Sequence, residues 1–422
     1  IGMWLYDLLS LFQAPELHQR LSADETMVAN PILRSEKLKG SYTYYDAYMD
    51  DDRLVLETLR SAHAFGAKIV NYCHVSKVNL DKADQNNATA LLTDTQSGKT
   101  FEVRANQVVS ALGPWTDESL RVLLPEWKPI LRPTKGVHLT FLRERLPLSS
   151  AIVMSEKERI VFAIPRHEMT IIGTTDTDYP KSPSQVNTDA EDISYLLKVA
   201  YEYFPNAKLE TTDIVATYAG VRPLVKDNSS SEGKTSREHT ILHPHPRLTV
   251  VAGGKYTTYR KMAEEIVHSI LRKMPLELQA RAWRTDTYQP LNPLLTEDLY
   301  TDAKNSAAGW SASLSPQELQ TLAERHGFEA KALIQEFPEA NYWQLEAIHA
   351  LRHTMCLHLS DFLTRRVPAF LSHQDHGVKE LDSLEKIFRE TLSWSADQWL
   401  EEKMAYLAQV EREQKRLQRT NV

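Results

Sequence analysis

Lys255 is the cation whose surroundings most directly suggest chemistry. It follows Gly253 and Gly254, which close a short apolar run, Leu248 to Ala252, rich in β-branched residues. That run reads as a buried strand. Beyond it Tyr259, Met262, Ala263, Ile266, Val267, Ile270, Leu271 and Met274 recur at three- and four-residue steps, the apolar stripe of a helix. The glycines remove the Cβ atoms that would keep a ligand from the backbone. A helix start offers unpaired N–H groups and a partial positive charge, to which Lys255 adds a full one. Thr257 or Thr258 would cap the helix, without a capping box. Such a turn suits a group that carries, or gains, negative charge; the alternative is an ordinary Gly-Gly turn.

Other titratable groups are less telling. Asp176 and Asp178 lack further ligands nearby and read as turn or cap residues. His243 and His245 would share one strand face, but two ligands without a third do not make a metal site, and no metal is expected. His349, Arg352 and His353 sit one turn apart on a predicted helix, on a solvated or interdomain face.

Composition narrows the classes. The chain has 422 residues, enough for two or three domains, and its net charge of −7 argues against nucleic acid as a partner. Two distant cysteines, Cys73 and Cys356, exclude a disulfide framework or an iron–sulfur site and suit a reducing compartment. Met3 to Phe12 is apolar but contains Asp7, and is about half the length of a membrane-spanning helix. It reads as a surface-packed or interfacial helix.

The elements that must carry these residues follow from periodicity. After a helical start and an irregular stretch, Ser41 to Tyr48 reads as a strand. Asp50 to Asp52 open a helix with Val55, Leu59 and Ala62 on its buried face, ended by Gly66. Ala67 to Val75 is a strand; Ala88 to Thr95 and Thr100 to Arg104 flank a hairpin turn at Ser97-Gly98-Lys99. Gln107 to Leu112 is a buried strand running into Gly113-Pro114-Trp115. Strands are then expected at Lys128–Leu131, Val137–Phe141, Ala151–Met154, Arg159–Pro165, Met169–Gly173, Asp213–Ala219 and Thr240–His243. One helix, Ala190 to Phe204, interrupts them with Ile193, Leu196, Leu197 and Tyr201 apolar. Past Pro290 to Pro293 the pattern is helical: Pro316–His326, Ala330–Phe337, Tyr342–Arg366, Lys379–Leu392 and Ala396–Gln418, with a frayed tail from Glu411 to Arg419.

Seven motifs, in order, resemble the flavin-dependent glycerol-3-phosphate dehydrogenases: Y-x-D-A-x-x-D-D-x-R-L-V-L from Tyr44, S-A-L-G-P-W from Ser110, K-G-V-H from Lys135, I-I-G-T-T-D-T-D-Y from Ile171, Y-A-G-V-R-P-L from Tyr218, S-R-E-H-T-I from Ser236 and G-G-K-Y-T-T-Y-R from Gly253. The resemblance covers nearly the whole chain. It implies an α/β fold (α+β overall): an FAD-binding Rossmann-like domain of the glutathione-reductase/D-amino-acid-oxidase type over residues 1–126 and 247–289, a β-rich substrate domain over 127–246 and a helical domain over 290–422. The implied reaction oxidises glycerol 3-phosphate to dihydroxyacetone phosphate by hydride transfer to FAD, with electrons passed to a quinone in the inner (cytoplasmic) membrane. The enzyme would lie peripherally on that membrane; a homodimer is left open.

Residue by residue, the resemblance implies that Arg222 and Arg237 bind the phosphate, a task suited to forked guanidinium donors. Arg222 is expected at a strand end, with Pro223 preventing that strand from continuing as a regular central one. His138 matches the family's active-site histidine and could take the hydroxyl proton. Lys255 would bind substrate oxygen or stabilise charge on the reduced flavin. Ser110, Ala111 and Gly113 would lie near the nucleotide, Val75 at a strand end near adenine, and Gly254, Lys255, Tyr256 and Thr257 near the flavin ring; Tyr256 stands where leucine is commoner.

The chain departs from the family in one respect. None of its fourteen glycines form a G-x-G pair, so the G-x-G-x-x-G turn that cradles a dinucleotide pyrophosphate is absent. We expect roughly a hundred residues of the natural protein, holding that turn, to precede Ile1. Two competing readings remain: an amine or amino-acid oxidase of the same superfamily, and an inactive binding remnant without the dinucleotide turn.

Overall fold

The computed structural model describes residues 2–9, 11–12, 14–80, 87–156, 159–226, 238–282 and 287–419. The chain begins with α1 (Gly2–Leu9), β1 (Gln19–Leu21), α2 (Ala23–Ala29) and β2 (Ser41–Thr43), the two strands pairing antiparallel. The strand expected through Tyr48 stops at Thr43; Tyr44, Tyr45 and Tyr48 are exposed. Helix α3 (Asp51–Ala64) opens on its acidic turn as expected, but its apolar face is not what it buries. Val55 is exposed, whereas Glu57 is buried, because α3 packs charged side chains against the C-terminal helices.

Strands β3 (Cys73–Asn79), β4 (Ala88–Asp94) and β5 (Thr100–Ala105) form an antiparallel meander closed by the expected hairpin. Its first strand starts at Cys73 rather than Ala67. Only three residues of the next expected strand pair, as β6 (Val108–Ser110); a turn at Gly113–Trp115 then leads into α4 (Thr116–Leu123).

The central sheet holds β7 (Leu131–Leu142), β8 (Ile152–Glu156), β9 (Arg159–Arg166), β10 (Met169–Gly173) and β11 (Thr177–Asp178), followed by α5 (Ala190–Tyr203) and β12 (Ile214–Val225). Two expected strands merge into β7, which pairs β10 and β11 on one edge and β12 on the other. Alternation turns Val137, Leu139 and Phe141 onto Ile193, Leu196, Val199 and Ala200 of α5. Tyr201, expected in that contact, is exposed. Arg222 is not at a strand end, because β12 continues to Val225 with Pro223 opposite Pro133; as Pro223 implies, the strand is not a central one. β12 pairs only β7 among the described residues, and an edge strand tolerates a residue without an N–H.

Strands β13 (His239–His245) and β14 (Leu248–Gly253) pair antiparallel, and β14 runs parallel to β6. Then come α6 (Tyr259–Leu271) and α7 (Leu276–Ala282). The stripe expected to bury α6 has no fully buried residue among those described.

The C-terminal part is helical: α8 (Glu297–Ser306), α9 (Pro316–His326), α10 (Phe328–Glu336), α11 (Tyr342–His353), α12 (Leu359–Asp361), α13 (Ala369–Ser372), α14 (Leu381–Leu392) and α15 (Ala396–Arg419). The single helix expected over Tyr342–Arg366 breaks after α11. There Met355 takes φ 50°, and the Asp361 carboxylate accepts the N–H groups of Leu357 and His358 in place of helical carbonyls. His349, expected on a solvated or interdomain face, is buried; it bonds Glu329 at 2.9 Å, and Glu329 bonds Arg60 of α3 at 2.6 Å. The tail expected to fray stays helical, because Glu413 is buried against β12.

Candidate active site

β7 carries His138 at the centre of a three-strand rung, with Gly173 of β10 on one side and Tyr218 of β12 on the other. The Tyr218 ring stacks on the imidazole, centroids 4.6 Å apart and planes 9° from parallel. A side chain at Gly173 would overlap the imidazole. Gly136, two residues along β7, makes the same room for the Arg222 guanidinium. Tyr218 and Arg222 are four apart on one strand, so both face the side of the sheet opposite α5.

Arg222 donates from Nη2 to Thr174 Oγ1 at 2.8 Å, from Nη1 to Asp176 Oδ1 at 3.2 Å, and from both to the Thr175 carbonyl. Asp176 is thus the partner of Arg222 rather than a turn or cap residue, and Asp178 pairs Arg132 at 3.1 Å. Burial, then the charge of Arg222, pushes His138 down to about 4. The imidazole is therefore neutral near pH 7 and able to accept a proton. Burial likewise pushes the Tyr218 phenol up to about 12. Lys135 points away, into ion pairs of 2.6 Å with Asp189 and Asp192 at the start of α5.

The start of α3 reaches both ends of this region. Asp50 accepts from Arg166 at 2.5 Å and bonds His167 at 3.3 Å. Burial raises its carboxyl, but these partners outweigh it and hold it at about 2. The Asp51 carbonyl accepts from Tyr256 Oη at 3.1 Å, which ties the Lys255 turn to the same helix start.

Strands β6 and β14 run parallel, β14 continuing three residues past the end of β6, and the carboxyl ends of parallel strands are where open α/β sheets bind ligands. Ser110 at the end of β6 has a buried hydroxyl without a partner among the described residues. Ala111 is exposed, and Gly113 opens a turn that packs on β12 and β14. Gly254 adopts φ 94°, and a Cβ there would strike Met262. Lys255, Tyr256 and Thr257 are exposed ahead of α6. Thr258 gives that helix no side-chain cap; its hydroxyl bonds the Lys255 carbonyl at 3.0 Å. An orphaned hydroxyl, an open backbone approach and an uncapped helix start fit an anionic dinucleotide, so FAD can be held by Ser110, Gly113, Gly254 and the Lys255–Thr257 turn.

Two expected residues stand apart. Val75 is within β3 at a bulge, half exposed, and not at a strand end; its sheet shares no ladder with β6 or β14. Arg237 lies outside the described residues. Tyr218, Gly136, Gly173 and Thr174 escaped the reading of the sequence as site residues. The signal for Tyr218 was its four-residue offset from Arg222, hidden when the strand was expected to stop at Ala219 with Arg222 at its end. No group of three or more His, Cys, Asp or Glu suited to a metal occurs among the described residues.

Comparison with known proteins gives this geometry a family. Residues 5–260 match the family model for FAD dependent oxidoreductases, and residues 251–399 match the C-terminal domain of alpha-glycerophosphate oxidase. The aerobic glycerol-3-phosphate dehydrogenase of Bacillus subtilis (strain 168) is 30% identical over 392 residues, 87% of this chain and 68% of the relative. The glycerol-3-phosphate dehydrogenase of Mycobacterium leprae is 30% identical over 98% of this chain and 71% of its own length. The crystal structure of the Bacillus halodurans glycerol-3-phosphate dehydrogenase, solved with FAD, superposes with a TM-score of 0.74 at 26% identity, covering 93% of this chain and 79% of that one. The chain belongs to the FAD-dependent oxidoreductases, and within them to the family of the aerobic glycerol-3-phosphate dehydrogenases.

Proposed function

We propose that this protein oxidises sn-glycerol 3-phosphate to dihydroxyacetone phosphate and passes the electrons to a membrane quinone. The observation that carries the reading is the placement of a neutral imidazole, His138, beside a forked cation, Arg222, on one sheet face. Arg222 would exchange its contacts with Asp176 and Thr174 for two phosphate oxygens, with Arg237 as a second cation. The C2 hydroxyl would then lie against His138, which takes its proton as the C2–H bond breaks and the C=O bond forms. FAD, when bound, supplies the acceptor for the hydride. Lys255 and the uncapped start of α6 would offset the negative charge that the transfer delivers.

In this reading residues 1–126 and 247–289 hold the flavin, 127–246 form the substrate domain and 290–422 the helical domain. Among the described residues no helix is long and apolar enough to cross a membrane. Trp4, Leu5, Leu8, Leu9, Leu11 and Phe12 are exposed and would supply a peripheral contact with the inner membrane near the quinone.

An absorbance spectrum followed by anaerobic addition of substrate tests the reading. A flavin spectrum that bleaches with glycerol 3-phosphate supports it. Bleaching only with an amine or amino acid would replace the substrate, and a protein that remains colourless after incubation with FAD would remove the activity.

A further inference from the structure

We propose that Tyr218 is a positioning residue for His138: its stacked ring holds the imidazole over Gly173 and screens one face from water, so that a ring nitrogen stays aimed at the substrate hydroxyl. Among the described residues no carboxylate or carbonyl bonds a ring nitrogen of His138 to fix the ring as in a catalytic triad; burial and the charge of Arg222 are what act on it. Two contacts fix the ring instead. Gly173 leaves the space into which the ring leans, and Tyr218 closes over it at 4.6 Å with the planes 9° apart. Both belong to the same rung of the sheet, so backbone ladders on either side of β7 set the stack.

The groups around the pair are few. Arg222 reaches His138 from β12, and β10 contributes only glycine at the rung. Arg166 from β9 and Asp51 and Asp52 from α3 act on Tyr218 rather than on the imidazole. Since burial is the first cause of the lowered proton affinity of His138, removing the ring that buries it should raise that affinity.

The proposal rests on His138 as the proton acceptor, but its test needs no turnover. The protein is labelled with 15N-histidine, and the His138 ring nitrogens, assigned by their loss in His138→Asn, are titrated by NMR. Tyr218→Phe keeps the stack and should titrate with the parent protein. Tyr218→Leu should move the midpoint upward by about one pH unit, with the acid limb of kcat moving equally and KM for the phosphate little changed. Should that variant not fold, Tyr218→Met, similar in reach but without a ring face, takes its place. An unmoved midpoint in the ring-less variant overturns the proposal. So does a shift in Tyr218→Phe as large as in Tyr218→Leu, which would assign the effect to the hydroxyl. The stack can fail this test while the dehydrogenase activity stands, and the reverse.

Discussion

Arg222 and His138 each occupy space that a glycine leaves open, and this separates their roles. Arg222→Ala should raise KM roughly 10- to 100-fold, the loss of hydrogen bonds from a charged donor, with a smaller effect on kcat. His138→Gln should lower kcat by about 10²- to 10⁴-fold with KM little changed. The glycines allow the same division by steric means. A methyl at Gly136 meets the guanidinium, so Gly136→Ala should act mainly on KM; one at Gly173 meets the imidazole, so Gly173→Ala should act mainly on kcat. Steady-state kinetics of the four variants checks this. If both alanine variants changed the same parameter, the division of labour along β7 would be wrong.

At the scale of elements, α15 is coupled to the strand that carries the site. Glu413 accepts from the Thr217 N–H and hydroxyl, both at 2.7 Å, and pairs with Arg416. Thr217 immediately precedes Tyr218, on the edge of the sheet where no further strand is described. A buried carboxylate therefore substitutes for a ladder partner and anchors β12 near its bulge. Glu413→Ala leaves Arg416 and two donors without this acceptor and should cost about 3 kcal/mol. Hydrogen exchange at the Thr217 amide should quicken and the melting temperature should fall. An unchanged exchange rate would mean that α15 does not hold the strand.

Across the whole molecule, α3 meets the C-terminal helices through charge rather than apolar packing. Arg60 binds Glu57 and Glu329; His349 binds Glu329; Arg325 and His326 bind Glu346 at 2.7 and 2.9 Å. Burial first, partly opposed by their carboxylates, pushes His326 down to about 4 and His349 to about 3. Below pH 6.5 the unfolded chain takes up protons that the native histidines refuse, so stability is full above 6.5 and falls as the pH drops toward 4 and 3. Glu329 and Glu346, held well below the usual carboxylate range by these partners against burial, lose their contribution in the same direction at lower pH. The melting temperature should therefore decline on acidification from about pH 6.5, before ordinary carboxylates titrate. A melting temperature flat between about pH 6.5 and 4.5 would contradict this account.

The order of elements and the family are legible in the sequence because they rest on local pattern and on motifs. Short apolar runs marked β9 and β10, period-3.6 stripes marked α5 and α9, and paired glycines marked the strand-to-helix turn at Lys255. Legibility failed where a partner distant in sequence decided the outcome. Glu57 rather than Val55 is buried because Arg60 and Glu329 meet across 269 residues. Arg222 lies within β12 rather than at a strand end because β7 pairs with it as far as Val225 along the edge of the sheet, where Pro223 is tolerated. The charged tail is ordered because Glu413 meets Thr217 across 196 residues. Chemistry-bearing residue types were thus set by the sequence itself, through backbone geometry and side-chain charge. The stack of Tyr218 on His138, and the burial that keeps that imidazole neutral, were decided by tertiary structure, because desolvation exists only once the strands of one rung come together.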